Sequence, residues 1–293
     1  MTEEFARQDR FAGSWLVTEY VYQFDGQLAG LIEQERSVYP LPNGTFQVVQ
    51  VCKPALPSAH PLSAFRGGWL FALEKQGAYR YYLGPDVKGF GREWADGFML
   101  GQGVWPRLGF NFTSYAFRIS PTRQLTGGVF HNAGIVVAEI IGIGVLQSDE
   151  NTPYPRIQTE TVSPALISNR WVGSATRFFA DGSVKEQFTV QRELYDSVGW
   201  CDTFSDGNIL DVKITPRQFA LDVNGSFAGD EIYGKARYIN GSFRADLVLS
   251  NGWNLQLFEV LDVQSNQLLT YRNGYYLGVH QYLDLIYFSP NPV

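Results

Sequence analysis

The sequence predicts an all-β chain made of two tandem copies of one antiparallel unit. Three observations carry that prediction. First, Trp15, Asp25-Gly26, Arg36 and Tyr39 return 156 positions later, without a gap, as Trp171, Asp181-Gly182, Arg192 and Tyr195. Five identities at one offset mark a duplication, each copy opening with a hairpin. Second, turn dipeptides suited to positive φ punctuate the chain: Asp25-Gly26, Asn43-Gly44, Asp96-Gly97, Asp181-Gly182, Asp206-Gly207, Asn224-Gly225, Asn240-Gly241, Asn251-Gly252 and Asn273-Gly274. Third, the segments between them are short, β-branched and aromatic, and no long amphipathic helix pattern interrupts them.

In chain order, a short helical turn is expected near Thr2–Arg10, just before Trp15. Strands are expected at 45–51, 69–73, 79–83, 110–119 and 134–145 in the first copy. Residues Gln147–Pro164 hold Asp149, Glu150, Asn151 and three prolines without an apolar period, which reads as a linker. The expected domains are therefore 1–148 and 165–293, joined by 149–164. A second helical turn near Pro164–Asn169 precedes Trp171, and strands follow at 187–195, 209–214, 242–250, 255–263, 267–272 and 276–288. Asn43-Gly44 aligns with Asp206-Gly207, which puts seven extra residues around Trp200-Cys201 in the second copy. The first copy carries a glycine-rich insert, 84–109, with Trp94 and Trp105 inside it. Such a stretch reads as a lid or rim loop, or as a plain surface loop.

Composition narrows the function classes. The net charge is −6 and no two cationic residues are adjacent, so nucleic-acid binding is disfavoured. The polar N-terminus is not an ordinary secretory signal. The longest apolar run, 134–146, is broken by Glu139 and is too short to cross a membrane. Cys52 and Cys201 do not occupy matching repeat positions and are expected reduced, in a cytoplasmic protein. His60, His131 and His280 lack metal-ligand spacing. No G-x-G-x-x-G, G-x-S-x-G or HExxH is present, and nothing calls for an organic cofactor.

The opening Phe11-Ala12-Gly13-Ser14-Trp15 resembles the G-x-W start of lipocalins, where a first-strand tryptophan plugs the closed end of a barrel. The second copy keeps Trp171 but has Asn169 in place of the glycine. The family's arginine that covers the tryptophan has no clear counterpart in the first copy; Arg272 is a possible one in the second. The chain thus resembles the calycin superfamily, and more narrowly a tandem, two-domain lipocalin-like family of unassigned function. The resemblance implies two tandem antiparallel lipocalin-like β-barrels. A closed barrel of about eight strands removes sheet edges and leaves room for side chains or one small ligand.

Several residues stand out as candidates. Trp15, Arg36, Trp171 and Arg192 recur in both copies and read as structural. Trp69, Tyr81, Trp94, Trp105 and Tyr115 crowd the first copy and, with Arg118, are the candidate walls of a binding cavity; core filling is the alternative. Glu139 is an acid in an apolar strand, on the same face as Val137, Ile141 and Ile143. If inward it is a catalytic candidate, with His131, Arg118 or Arg123 within reach; otherwise it pairs across the sheet surface. His280, Tyr282 and Asp284 share one face of the last strand and read as its solvent face, with acid–base work as the alternative.

Two functions follow. One is binding of a small hydrophobic metabolite inside a barrel, the first for preference. The other is a cofactor-independent cyclase, isomerase or lyase acting on a hydrophobic small molecule, which the resemblance permits. A scaffold with both barrels filled would lack a cavity of roughly 300 Å³.

Overall fold

The computed structural model describes residues 10–95, 97–157, 164–181, 185–195, 199–205, 207, 209–213, 215–216, 224–228, 232–239 and 242–291. The turn expected before Arg10, Asp96, Gly182, Asp206 and Asn240-Gly241 lie outside them. The chain is all-β and divides into two compact units, Met1–Ile157 and Gln158–Val293.

The first unit is a closed barrel of ten strands. They are β1 (Gly13–Tyr22), β2 (Leu28–Pro40), β3 (Phe46–Ala55), β4 (Gly67–Gln76), β5 (Tyr79–Leu83), β6 (Lys88–Ala95), β7 (Phe98–Trp105), β8 (Phe110–Ser120), β9 (Arg123–Asn132) and β10 (Ile135–Leu146). Each strand pairs antiparallel with the next, and β10 returns to β1, so no edge is left unpaired. Asp25-Gly26 and Asn43-Gly44 make the first two turns, with Gly26 at φ +90° and Gly44 at φ +83°. Each turn aspartate or asparagine accepts a hydrogen bond from the backbone two residues on.

The second unit is one sheet of eleven strands: β11 (Arg170–Phe179), β12 (Lys185–Tyr195), β13 (Gly199–Phe204), β14 (Ile209–Lys213), β15 (Thr215–Pro216), β16 (Asn224–Ala228), β17 (Ile232–Ile239), β18 (Ser242–Leu249), β19 (Trp253–Asp262), β20 (Gln267–Tyr276) and β21 (Val279–Pro290). A helical turn, α1 (Pro164–Ile167), leads into it. The edges of this sheet are β14 and β15. Lys213 and Thr215 are two residues apart, so their Cα atoms lie within about 7.6 Å. The sheet thus curls round until β14 comes near β16, which it touches. The two copies are tandem barrels, each wound from its first strand round to its last.

Register relates the copies. Trp15 pairs with Arg36, and Arg36 with Gln50; Trp171 pairs with Arg192, and Arg192 with Asp202. Hence β13 is the counterpart of β3. The alignment of Asn43-Gly44 with Asp206-Gly207 is one hairpin out: Asn43-Gly44 precedes β3, whereas Asp206-Gly207 follows β13 and the residues before β13 are Asp196-Ser197-Val198.

Other expectations change for local reasons. Residues 84–109 are not a loop: they hold the β6–β7 hairpin, part of the barrel wall. Its inward glycines pack where side chains do not fit. A Cβ on Gly91 would meet Tyr82 Oη at 2.8 Å, and one on Gly103 would meet the Phe112 ring at 2.9 Å. Asn273-Gly274 lies within β20, where a Cβ on Gly274 would strike Tyr282 at 2.4 Å; the turn falls at Leu277-Gly278 instead, both at positive φ. Asn224-Gly225 opens β16. Within the expected linker, Tyr154 Oη donates to Glu35, Arg156 Nη1 to Thr18 Oγ1 at 3.1 Å, and the Ile157 amide to Tyr20 Oη at 3.2 Å. That stretch covers the outer face of β1, which explains why Thr18 and Tyr20 are buried although they point away from the barrel interior.

Cys52 is buried in the first core, its thiol accepting from Gln50 Nε2 at 3.4 Å. Burial pushes its pKa up to about 12. Alkylation at pH 8 followed by peptide mass spectrometry should leave Cys52 unlabelled in the native protein and label it on unfolding. Rapid native labelling would contradict this packing.

Candidate functional site

Alternation along β1 sets the inside of the first barrel: Trp15, Val17, Glu19 and Val21 face inward. Paired registers carry that side to Gln34 and Arg36 on β2, Gln50 on β3, Thr126 and Gly128 on β9, and Ser114 and Ala116 on β8. All of these except Val17 and Val21 line a cavity of about 160 Å³. At one end lie Phe11 and Trp15, whose Nε1 donates to Phe11 O at 3.1 Å. At the other, Phe65 stacks on Trp69 with centroids 5.0 Å apart and meets Trp105 edge-on at 4.7 Å. The 3-10 turn Pro61–Ala64 carries Leu62 and the following Phe65 into this core.

The polar groups converge from β1 and β2. Gln34 Nε2 donates to Glu19, Arg36 Nη2 donates to Gln34 Oε1 at 2.9 Å, and Arg36 Nη2 lies 3.7 Å from Glu19 Oε1. Arg36 Nε is buried without a hydrogen-bond partner. Glu19 is 8% exposed. Burial raises its pKa above the ordinary carboxylate value, against the lowering effects of Arg36 and the Gln34 amide. Arg80 also lines the cavity, its Nη2 2.9 Å from Glu93 Oε2 and its guanidinium over the Phe11 ring.

The candidates named from the sequence separate. Trp105 lines the cavity. Trp69 faces inward behind Phe65 and is 3% exposed. Tyr115 borders the cavity, but its register with Gly127 points its ring outward. Tyr81 stacks with Tyr79, and Trp94 lies against the Arg92 guanidinium at 3.8 Å; neither lines the cavity. Arg118 is not a ligand contact. Its guanidinium sits 5.9 Å from the Trp15 ring and donates to the carbonyls of Arg10, Ser120 and Pro121. It thus packs over the first-strand tryptophan.

Glu139 and His131 are corrected too. Glu139 pairs with Tyr22 and Val129, and His131 with Val136 and Asn111, all outward positions. The inward residues of β10 are Ala138, Ile140, Gly142 and Gly144. Glu19 was missed, although its place four residues after Trp15 puts it on the tryptophan's face.

The second barrel has a different interior. Arg192 Nε and Nη2 donate to Asp202 at 2.6 and 2.8 Å, and its Nη1 donates to Glu259. Thr270 Oγ1 also donates to Glu259, at 3.1 Å. Arg177 and Arg272 both donate to Asp284, which is fully buried. Asp284 thus faces the interior rather than solvent: it pairs with Arg177, which lies on the same face of β11 as Trp171. Arg272 lies over Phe204, 4.7 Å from its ring. Burial pulls the Arg192 pKa down, but Asp202 and Glu259 hold it above its ordinary value. Among the described residues, no three His, Cys, Asp or Glu side chains gather as a metal site, and no helix is long and apolar enough to cross a membrane.

Two predictions follow. Arg192→Met should destabilise the second barrel by about 3–5 kcal/mol, since it strands two buried acids. Arg36→Met should cost about 1–2 kcal/mol. Calorimetric melting of both variants checks the contrast; equal costs would contradict it. Glu19 binds its proton more tightly folded than unfolded, so its contribution to stability is full below its unfolded pKa and is lost as pH rises through the folded one. Glu19→Gln should therefore melt about 2–4 °C higher than the parent above that window, and equally below it.

No family model matches the chain, and no curated protein matches it. Among solved structures, a protein of unknown function from the DUF3598 family of Nostoc punctiforme aligns over 99% of this chain and 100% of its own, at TM-score 0.62 and 13% identity. An S-type phycobiliprotein lyase from Guillardia theta aligns over 50% of this chain and 93% of its own, at TM-score 0.38 and 11% identity, too distant to bear on the fold. Over its whole length the chain is thus similar in fold to a protein of the DUF3598 family, and the likeness is one of fold alone.

Proposed function

We propose that the first barrel binds one small, largely apolar molecule in the cavity between Trp15 and Trp105. The observation that carries this reading is a cavity walled by Phe65, Phe71, Trp105, Phe112 and Phe130, with a few polar groups converging at one end. Ligand sites have that composition. The volume of about 160 Å³ is below the usual range for drug-sized ligands. A cavity of about 150 Å³ accepts benzene, so the occupant is ring-sized. Native mass spectrometry of the purified protein should show one small molecule per chain, released on denaturation. Ser114→Leu, which fills the cavity, should weaken its rebinding about tenfold or more. An empty protein that also takes up no benzene would overturn the reading.

Glu19 favours a second reading. A buried carboxyl with a raised pKa, at the polar end of the same cavity, suits proton transfer to a bound carbonyl or alkene. In that case the chain is a cofactor-independent isomerase, cyclase or lyase, and the acid is Glu19 rather than Glu139. Glu19→Gln should leave the identified molecule's affinity within about threefold while cutting turnover by about 10²–10⁴. Unchanged turnover would eliminate this reading and leave the binder.

A further inference from the structure

We infer that the molecule held by the first barrel is a small carboxylic acid, bound as its carboxylate against Arg36, and that the second barrel has the same contact built into its own chain. This rests on the cavity reading above and names the ligand's polar end.

The argument is a position-by-position comparison. Trp15 and Trp171 fix the first strands, and the paired registers carry the match around each barrel. The place of Asp202 on β13 is held by Gln50 on β3. The row of Glu19 runs through Gly142 and Thr126 to Ala116; the row of Ala175 runs through Ile286 and Thr270 to Glu259. Ala116 therefore stands where the second barrel has Glu259. One row on, Ile140 and Gly128 stand where it has Asp284 and Arg272. The arginine is kept and both of its carboxylate partners are gone.

What replaces them does not satisfy it. Arg192 spends Nε, Nη1 and Nη2 on two acids. Arg36 uses Nη2 on a neutral amide, and its Nε has no partner. Gln50, in the place of the acid that takes Arg192 Nε, turns to Cys52 Sγ instead. Glu19 approaches to 3.7 Å, beyond hydrogen-bonding distance. The side of a guanidinium that offers Nε and one Nη matches a carboxylate bidentately, as Asp202 shows on Arg192. Arg36 itself lines the cavity, and Ala116, Gly144 and Gly142 stand where the second barrel has Glu259, Phe288 and Ile286. A ligand carboxylate there gives Arg36 the two acids that Arg192 already has, with Glu19 as the second.

Calorimetric titration of the full chain with benzoate, and with benzamide as its neutral match, tests this. Benzoate should bind roughly 10- to 150-fold tighter than benzamide, the range expected for a charged hydrogen-bond pair. Arg36→Met should bring the two to within about threefold of each other. Gln50→Asp writes the second barrel's acid into the first; it should keep benzamide binding and weaken benzoate at least about tenfold. A melting curve confirms that each variant folds. Equal affinity of benzoate and benzamide, or Gln50→Asp without effect on benzoate, overturns the carboxylate assignment and leaves the cavity reading standing. If neither compound binds, both fall.

Discussion

A charge buried in a barrel must find its counter-charge inside. Each copy of this chain places an arginine on its second strand, in register with the first-strand tryptophan, with its guanidinium turned to the interior. Arg192 is buried, and leaving it uncompensated would cost several kcal/mol, whereas Arg36 keeps 24% of its side-chain surface exposed. Much of what distinguishes the two barrels follows from how each answers that demand. The second answers with its own acids, Asp202 and Glu259 on Arg192. The first answers with a neutral amide and one distant carboxylate, and keeps space beside them.

The glycines make that space possible. Gly142 and Gly144 face inward where the second barrel has Ile286 and Phe288, and the side chains of Glu19 and Gln124 lie across them, at 2.8 and 2.9 Å from where a Cβ would stand. A polar cluster beside bare backbone thus replaces an apolar plug. The aromatic residues gather at the opposite end, around Phe65. The cavity is therefore polar at one end and apolar along its walls, which favours an amphipathic guest of one orientation.

The fold was legible in the sequence because duplication and tight turns are local signals. Trp15, Arg36, Trp171 and Arg192 hold matching positions, and Asp25-Gly26 and Asn43-Gly44 turn the chain as their chemistry requires. The site was less legible, for a physical reason. Alternation along a strand separates two faces but does not say which is inside. Glu139 is buried, as its apolar neighbours suggest, but on the outer face, because strands of this barrel are buried on both faces where other segments cover them. An anchor of known direction was needed, and Trp15 was one: counting in twos from it reaches Glu19. The glycine-rich stretch 84–109 misled for a related reason. Its glycines answer to Tyr82 and Phe112 on the neighbouring strands β5 and β8, and the glycine pattern by itself does not reveal those pairings. The acids of the second barrel were equally hidden, because Asp202, Glu259 and Asp284 meet their arginines only through long-range register.

The account depends on the two arginines being chemically unequal. Heteronuclear NMR resolves arginine Nε–Hε groups one by one. With benzoate added to saturation, the Arg36 cross-peak should shift and its solvent exchange should slow, while the Arg192 cross-peak, already closed on Asp202, should stay where it was. A shift at Arg192, or no change at Arg36 under conditions where benzoate is bound, would contradict it.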